Sequence, residues 1–522
     1  MALTRRSTAS LEMQHRTRKE CRFDETEQDL PDFSGKIPTV TAALSTKDKF
    51  WSALSYLGLK NPISRPITAD DTVWLLDNTA YRNEKTGFWE AEYVAAMFSQ
   101  HSSSAIIDAV SAISDKINMD ECDPAYKTLE ERIKPFVQDI KPGTQVKALY
   151  GGKVPMKLGP GGHNGISSEI KKLPGGDDGE LVPTFASVPK GANGLLEMRT
   201  FYAEPEGWGV ISDIDDTIKV TQTSDPIGIL RTTFTGTPQP IAGMPALYEH
   251  IHGLVTPASA WFYLSASPYN LYPFLRAFRQ SHYPHGTVIL RDSSWMSVRG
   301  LLTTLTLGTE DYKVDRIEKI HDWLPRRKMI CVGDSTQSDP EAYGEMYRRY
   351  PQWVKVILIR KVEDIAAIGI EAKNEPQRFE DAFKDVPRDV WHVFSDPGES
   401  VLSLTLKKSD ANYMNTINIK KGMDQALAQD DDEMSVTTIT PSPILRHGNL
   451  FISQPSNIIL YLGPGLGLVP LVDGDDGDSD ALCRVNAPPR TALDGLSNNV
   501  HDCYHPIAVS LYYALRRSWN FV

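Results

Sequence analysis

The sequence lacks paired cysteines, a membrane-length apolar run and a surplus of basic residues, and each absence closes off a class of protein. Its five cysteines, Cys21, Cys122, Cys331, Cys483 and Cys503, are odd in number, far apart and never in a CxxC pair. That usage excludes a disulfide framework and points to a reducing, cytoplasmic setting. The uncharged apolar run Ile458 to Val472 is short of the ~20 residues that span a bilayer, and Pro464 and Pro470 interrupt it. No transmembrane segment is therefore expected. The formal net charge of −12 argues against neutralising nucleic-acid phosphates over a broad surface, so an anionic substrate must be met by local cations. The opening stretch MALTRRSTASLEMQHRTRKECR has no apolar core of a secretory signal. It reads as part of a disordered basic arm over 1–40.

What is present is organised in blocks. A chain of 522 residues, 41% hydrophobic, exceeds the ~250–300 residues at which a single core stops growing, so two domains plus tails are expected. Phe50, Trp51, Leu54 and Leu57 recur at helical spacing behind Ser45 and Thr46, and VWLLDNTAYR from Val73 reads as a strand. FWEAEYVAAMF and SSAIIDAVSAI read as helices. QVKALYGG, PTFASV and LLEMRTFYA then read as short strands between Gly- and Pro-rich turns. Together they predict a mainly β module with inserted helices over 41–204. The loop Leu158 to Gly165 lacks the Gly-Lys-Ser/Thr ending of a phosphate cradle and reads as a surface turn. Over 205–400 the strands GVISDID, AWFYLSAS, GTVILRD, MICVGDS and VKVILIR alternate with helical segments. Such alternation predicts an α/β fold with a parallel sheet and a site at its carboxyl edge. Residues 401–522, with the acidic clusters QDDDE and DGDDGDSD, read as a largely disordered acidic tail.

The chemistry concentrates in the α/β block. In GVISDIDDTIK an apolar strand runs directly into Asp213 and Asp215, so both carboxylates leave the sheet toward one small volume. That arrangement suits phosphoryl transfer, in which positioning and charge neutralisation carry most of the rate. Asp213 is the candidate nucleophile and Asp215 the candidate acid and base. Ser265, ending WFYLS, is placed to donate to a phosphate oxygen, and Lys313 in EDYKVDRI to steady the phosphorylated aspartate. In GDSTQSD, Gly333 allows close approach to an ion, and Asp334 and Asp339 offer the hard oxygens that Mg²⁺ prefers.

A DxDxT element, a strand-ending Ser, a Lys and a GDxxxxD element in this order resemble the haloacid dehalogenase superfamily. Around them, DNTAYR, RTFYAEPEGWGVISDIDDTIKVT, YLSASPYNLYPFLRAF, GTEDYKVDRIEKI and VGDSTQSDPEAYGEMYRRYP resemble the fungal actin-patch-associated phosphatidate phosphatases. The likeness runs from Trp74 to Pro397. It implies a haloacid-dehalogenase-like Rossmannoid sheet and Mg²⁺-dependent conversion of phosphatidate, met at a membrane surface, to diacylglycerol. It also implies Thr217 and Ser265 at the substrate phosphate, and a metal held by Asp213, Asp215, Asp334 and Asp339. Its partners would be cytoskeletal or endocytic proteins, and its location the cytoplasm, peripheral membranes or cortical actin patches. A DxDxT protein phosphatase and an actin-patch adaptor with residual catalysis are the alternatives. The tail's PSPI and APPR are not PxxP segments, a departure that weakens SH3-mediated delivery.

Three further expectations follow from the sequence. The segment from Val220 to Ala260 and the stretch from Ser265 to Lys313 leave little room for a large lid, so the site should be open to a substrate on a surface. The basic run Arg326, Arg327 and Lys328 reads as an anionic-lipid contact or a solvated helix end. The aromatic groups around Trp295 and at Phe50 and Trp51 read as core in preference to membrane contacts, and the histidines of HIHG and HYPH lack zinc-ligand spacing.

Overall fold

The structure, a computed structural model, describes residues 2–32, 65–102, 105–162, 164–255, 258–291, 297–363, 369–398, 404–407, 416–419, 445–447 and 450–452. The expected helix at 46–57, the Trp295 stretch, the acidic clusters and the run 458–472 lie outside the described residues. The chain divides into two units, 1–427 and 428–522. Within the stretch expected to be a disordered tail, the described residues form two antiparallel pairs, Leu404–Lys407 with Thr416–Ile419 and Leu445–His447 with Leu450–Ile452.

The β module contains the strands β1 (Arg65–Pro66), β2 (Asp71–Leu75), β3 (Asn78–Arg82), β4 (Trp89–Ser102), β5 (Gln138–Ile140), β6 (Thr144–Tyr150), β7 (Val154–Leu158), β8 (Ile166–Leu173), β9 (Leu181–Ser187), β10 (Asn193–Leu195) and β11 (Glu197–Ala203). They form one sheet in the order β1-β6-β9-β11-β3-β4-β2-β10, with β5 and β8 added to β4 and β7 to β6. Alternation drives strands such as β6, where Val146, Ala148 and Tyr150 are buried and Lys147 is exposed. Two expectations are corrected here. FWEAEYVAAMF, from Trp89 on, belongs to the long strand β4 and is not a helix. Tyr93, Ala95 and Met97 face one core while Ala96 and Phe98 face another, so both sides are apolar and the period of two is masked. VWLLDNTAYR is two strands broken at Leu76 and Asp77. The helices Ala105–Ile117 and Tyr126–Val137 are inserted between β4 and β5.

The second sheet is parallel throughout: β12 (Trp208–Asp213), β13 (Ala260–Pro268), β14 (Thr287–Arg291), β15 (Lys328–Asp334), β16 (Val354–Arg360) and β17 (Trp391–Phe394), in the order β14-β13-β12-β15-β16-β17. This is the Rossmann-like α/β arrangement expected. Every residue of β12 is buried, as a central strand covered on both faces requires. The chain builds outward from β12 first through β13 and β14, then returns to its other side through β15, so the order reverses at β12. Ligands in open α/β sheets bind at such a reversal, beyond the carboxyl ends of the strands.

Residues 2–32 are not a disordered arm. They form the helices Ala2–Glu20 and Phe23–Asp29. Phe23 and Leu30 are buried, and buried Arg18 pairs with Glu27 at 2.6 Å. A few anchors inside a polar stretch are enough to dock it, and they leave no periodic signal. Arg327 is neither a lipid contact nor solvated: it is buried and donates to the carbonyls of Glu204, Trp208 and Ala258 and to Asp178. No helix among the described residues is long and apolar enough to cross a membrane.

Candidate active site

The carboxyl ends of β12, β13 and β15 lie side by side, with Asp213 opposite Leu264 and Ser212 opposite Val332. They carry Asp213, Ser265 and Asp334 to one point at the reversal. Two helices complete the set. Lys313 enters from Thr309–Trp323 and Asp339 from the first position of Asp339–Arg349.

Lys313 Nζ lies 2.8 Å from Asp213 Oδ1 and 2.6 Å from Asp339 Oδ1. Thr217 Oγ1 donates to Asp213 Oδ2 at 3.2 Å and to Asp334 Oδ2 at 3.0 Å. Asp339 Oδ2 accepts the amide of Asp334 at 3.1 Å, and Asp334 Oδ1 accepts both the amide and the hydroxyl of Thr336. Oxygens of Asp213, Asp334 and Asp339 lie within 4.8 Å of one another, all buried. An octahedral Mg²⁺ shell is about 4.2 Å across, so this all-oxygen set fits a hard divalent cation with a small contraction.

Asp215 stands outside that group. Its Oδ2 accepts from Ser265 at 2.5 Å, its Oδ1 from Thr221 at 2.8 Å, and Lys219 Nζ lies 4.0 Å away. The expected use of its side chain as a fourth metal ligand is thus not met. β12 ends at Asp213, and the turn that follows aims residue 215 away from the three carboxylates. Ser265, expected at the phosphate, spends its hydroxyl on Asp215. Gly333 also has a different reason from the one expected: a Cβ there would sit 2.5 Å from Asp339 Cβ and Cγ. The absent side chain makes room for a carboxylate.

Asp216 was not singled out from the sequence. It adopts φ 62°, a conformation that Asp tolerates better than most residues. Its Oδ1 accepts the amides of Thr221 and Gln222, and its Oδ2 the amide and hydroxyl of Thr223. It ties down the loop after the DxD element. The available signal was the Asp-Asp-Thr run, a common side-chain-to-backbone turn former.

The electrostatics are unbalanced. Burial pushes the Asp213 carboxyl well above the usual carboxylate range, Lys313 opposes this, and Asp339, Asp334 and Asp215 add to it. Burial, then Asp339, raises Asp334 to about 7. Burial pulls the Lys313 ammonium down, yet Asp213, Asp339 and Asp334 outweigh it and hold the group above its ordinary value. Three carboxylates around one ammonium leave negative charge for a cation to neutralise.

All seven expected site residues are closed to solvent: Asp213, Thr217, Ser265, Lys313, Asp334 and Asp339 are 0% exposed and Asp215 is 1%. The expectation of an open site is corrected. Far upstream in the chain, Gln14 bonds Thr309 and Ser338 at the starts of the two helices that deliver Lys313 and Asp339, while Thr221 and Lys219, just after the DxD element, lie against Asp215.

Comparison with known proteins agrees with the location of this site. Residues 208–361 match the family described as phosphatidate phosphatase APP1, catalytic domain. The phosphatidate phosphatase APP1 of Saccharomyces cerevisiae is 32% identical over 181 residues, covering 33% of this chain and 30% of the yeast protein. The chain thus matches under a third of that relative's length. A GH2 beta-galacturonidase from Eisenbergiella tayi aligns at TM-score 0.20 and 9% identity over 61% of this chain and 54% of that one, a likeness too slight to argue from. The resemblance to phosphatidate phosphatases therefore holds over 208–361, the segment that supplies every one of the gathered side chains and is similar to that family's catalytic domain.

Proposed function

We propose that this chain is a Mg²⁺-dependent phosphatidate phosphatase that converts phosphatidate to diacylglycerol through an aspartyl-phosphate. The observation that carries the reading is the buried trio Asp213, Asp334 and Asp339 around Lys313, built within the segment similar to a phosphatidate phosphatase catalytic domain. Asp213 attacks phosphorus and forms a P–O bond as the bond to the glycerol oxygen breaks. Asp215, held by Ser265 and Thr221, gives its proton to that oxygen. Water then attacks the aspartyl-phosphate, Asp215 takes a proton from it, and phosphate leaves with Asp213 restored. Lys313 offsets charge on Asp213 and Asp339 throughout. Asp213, Asp334 and Asp339 would hold Mg²⁺, which when bound supplies positive charge between the anionic nucleophile and the anionic substrate. We place the protein in the cytoplasm, meeting lipid from the membrane surface.

The test is phosphate release from phosphatidate in mixed micelles, with and without Mg²⁺, beside release from a phosphoserine peptide. Mg²⁺-dependent release from the lipid, lost in Asp213→Asn and Asp215→Asn, is expected. Full activity in either variant, or a strong preference for the peptide, overturns the reading.

A further inference from the structure

The helix Ala2–Glu20 is fastened to the two helices that deliver Lys313 and Asp339. Gln14 Nε2 donates to Thr309 Oγ1 at 3.1 Å and to Ser338 Oγ at 2.9 Å, and Gln14 Oε1 accepts the Gly308 amide at 2.9 Å. Gly308 and Thr309 begin one of those helices and Ser338 immediately precedes the other. One turn further on, Arg18 donates to the Thr306 hydroxyl. Gln14 and Arg18 roof a cavity of about 30 Å³ that is also lined by Thr336, Gln337, Ser338 and Lys373. Thr336 bonds Asp334, so the cavity lies beside the carboxylates. It holds roughly one or two waters, not a phosphomonoester. Two of its polar groups have capacity to spare. Both amide atoms of Gln337, which is 8% exposed, are buried without a hydrogen-bond partner, and Lys373 Nζ donates to Ser224 at 3.1 Å.

We propose that the helix Ala2–Glu20 is an autoinhibitory cover over this site and that an anionic lipid surface displaces it. The inference rests on the phosphatase reading above for what is being covered. Gln14 ties together the starts of the helices that deliver Lys313 and Asp339 while Asp213 is closed to solvent, and the space next to Lys373 and Gln337 is where a phosphate-bearing headgroup fits once the roof lifts. The latch is polar, so water replaces its hydrogen bonds on opening and the net loss is small. The base of the segment stays anchored by Phe23 and Leu30. Arg22, at φ 55° between the two helices, is the natural hinge. Residues 2–22 carry Arg5, Arg6, Arg16, Arg18, Lys19 and Arg22 against Glu12 and Glu20. A local basic excess in an otherwise acidic chain is attracted to an anionic leaflet, the kind of surface that phosphatidate itself creates.

Two measurements on the full chain test this. The first is alkylation by N-ethylmaleimide, reading half-buried Cys21 at the hinge against exposed Cys122 as internal standard. Vesicles of phosphatidylserine, anionic but not the proposed substrate, should raise the Cys21 to Cys122 ratio by on the order of tenfold, the shift expected from losing a few hydrogen bonds. Vesicles of phosphatidylcholine should leave it unchanged. A ratio that phosphatidylserine does not move overturns the displacement. The second is hydrolysis of soluble p-nitrophenyl phosphate by the wild type, by Gln14→Ala and by the chain without residues 2–20. Either variant should raise turnover by on the order of tenfold. Gln14→Ala keeps both anchors and serves if the truncation does not fold. Unchanged turnover in a folded variant overturns the cover. If no form of the chain hydrolyses any phosphate ester, the phosphatase reading fails, and Cys21 alkylation alone decides whether lipid lifts the helix.

Discussion

Two clusters of buried charge hold this molecule together in opposite ways. At the junction of the β module and the parallel sheet, Asp77 is buried between Arg276 and Arg279. Its Oδ1 accepts from Arg276 Nη2 at 2.9 Å and from the Arg199 amide at 3.0 Å, and its Oδ2 from Arg276 Nε and Arg279 Nη2, both at 3.0 Å. Its own amide donates to the Tyr272 hydroxyl at 2.7 Å. Every carboxylate lone pair faces a donor, and two guanidiniums answer one carboxylate. At the carboxyl edge of the sheet, three carboxylates share one ammonium, and burial lifts Asp213 and Asp334 above the usual range. The Asp77 cluster is structural, because its carboxylate has no lone pair left to offer an ion. The unsaturated one retains charge that folding alone has no use for, and under the proposed function it is where Mg²⁺ would be received.

Substitution should separate the two clusters cleanly. Asp213→Asn is expected to lower phosphate release from phosphatidate by on the order of 10⁴-fold or more, as when a covalent nucleophile is removed. The same change takes away a buried like charge, so the metal-free protein should unfold in urea no earlier than the wild type. A large loss of stability would place Asp213 in the structural class and break the comparison. Asp77→Asn should do the reverse. It leaves buried guanidiniums uncompensated and is expected to cost about 3–5 kcal/mol of unfolding free energy, measured by urea denaturation, while Mg²⁺ binding persists in the fraction that folds. Adding Mg²⁺ to the wild type at a hundredfold excess over Kd should raise its stability by about 2.7 kcal/mol. That gain should vanish in Asp334→Asn and survive in Asp77→Asn, as read by thermal denaturation.

Much of the candidate site was legible because an α/β sheet turns sequence order into geometry. Strands that end in Asp213 and Asp334, with Ser265 near the end of β13 between Leu264 and Pro268, deliver those residues to one edge, and Lys313 and Asp339 follow from the helices that begin there. What depends on the aim of a side chain was not legible. Asp215 lies two residues from Asp213, but the strand ends between them, and the turn sends its carboxylate to Ser265 and Thr221. In β4 the alternation of Trp89-Glu90-Ala91-Glu92-Tyr93 gives way to a continuous apolar run through Phe98, because both faces are covered there. The helix Ala2–Glu20 docks through Gln14 and Arg18 with almost no apolar stripe, so neither its existence nor its docking against Gly308 and Ser338 could be read from periodicity. The short spacing between Ser265 and Lys313 led to the expectation of an open site, and yet the site residues are closed to solvent, because chain connectivity does not limit which segments pack on a sheet edge.

The saturated cluster also has a weak side, at His285. Arg279 Nη1 lies 3.2 Å from His285 Nδ1, so the ring serves as acceptor for a guanidinium that also binds Asp77. Burial first, then Arg279, lowers the imidazolium pKa to about 4, against roughly 6.5 in the unfolded chain. A depressed folded value means that the unfolded chain takes up the proton first. The contribution of neutral His285 is therefore complete above pH 6.5 and is lost as pH falls toward 4. Between pH 6.5 and 5 the wild type should lose about 2 kcal/mol of unfolding free energy through this group, and His285→Gln, which cannot be protonated, should show a flatter slope over that window. Equal slopes in urea titrations of the two proteins would mean that a third positive charge fits beside Arg276 and Arg279, and that the Asp77 cluster is less saturated than its geometry indicates.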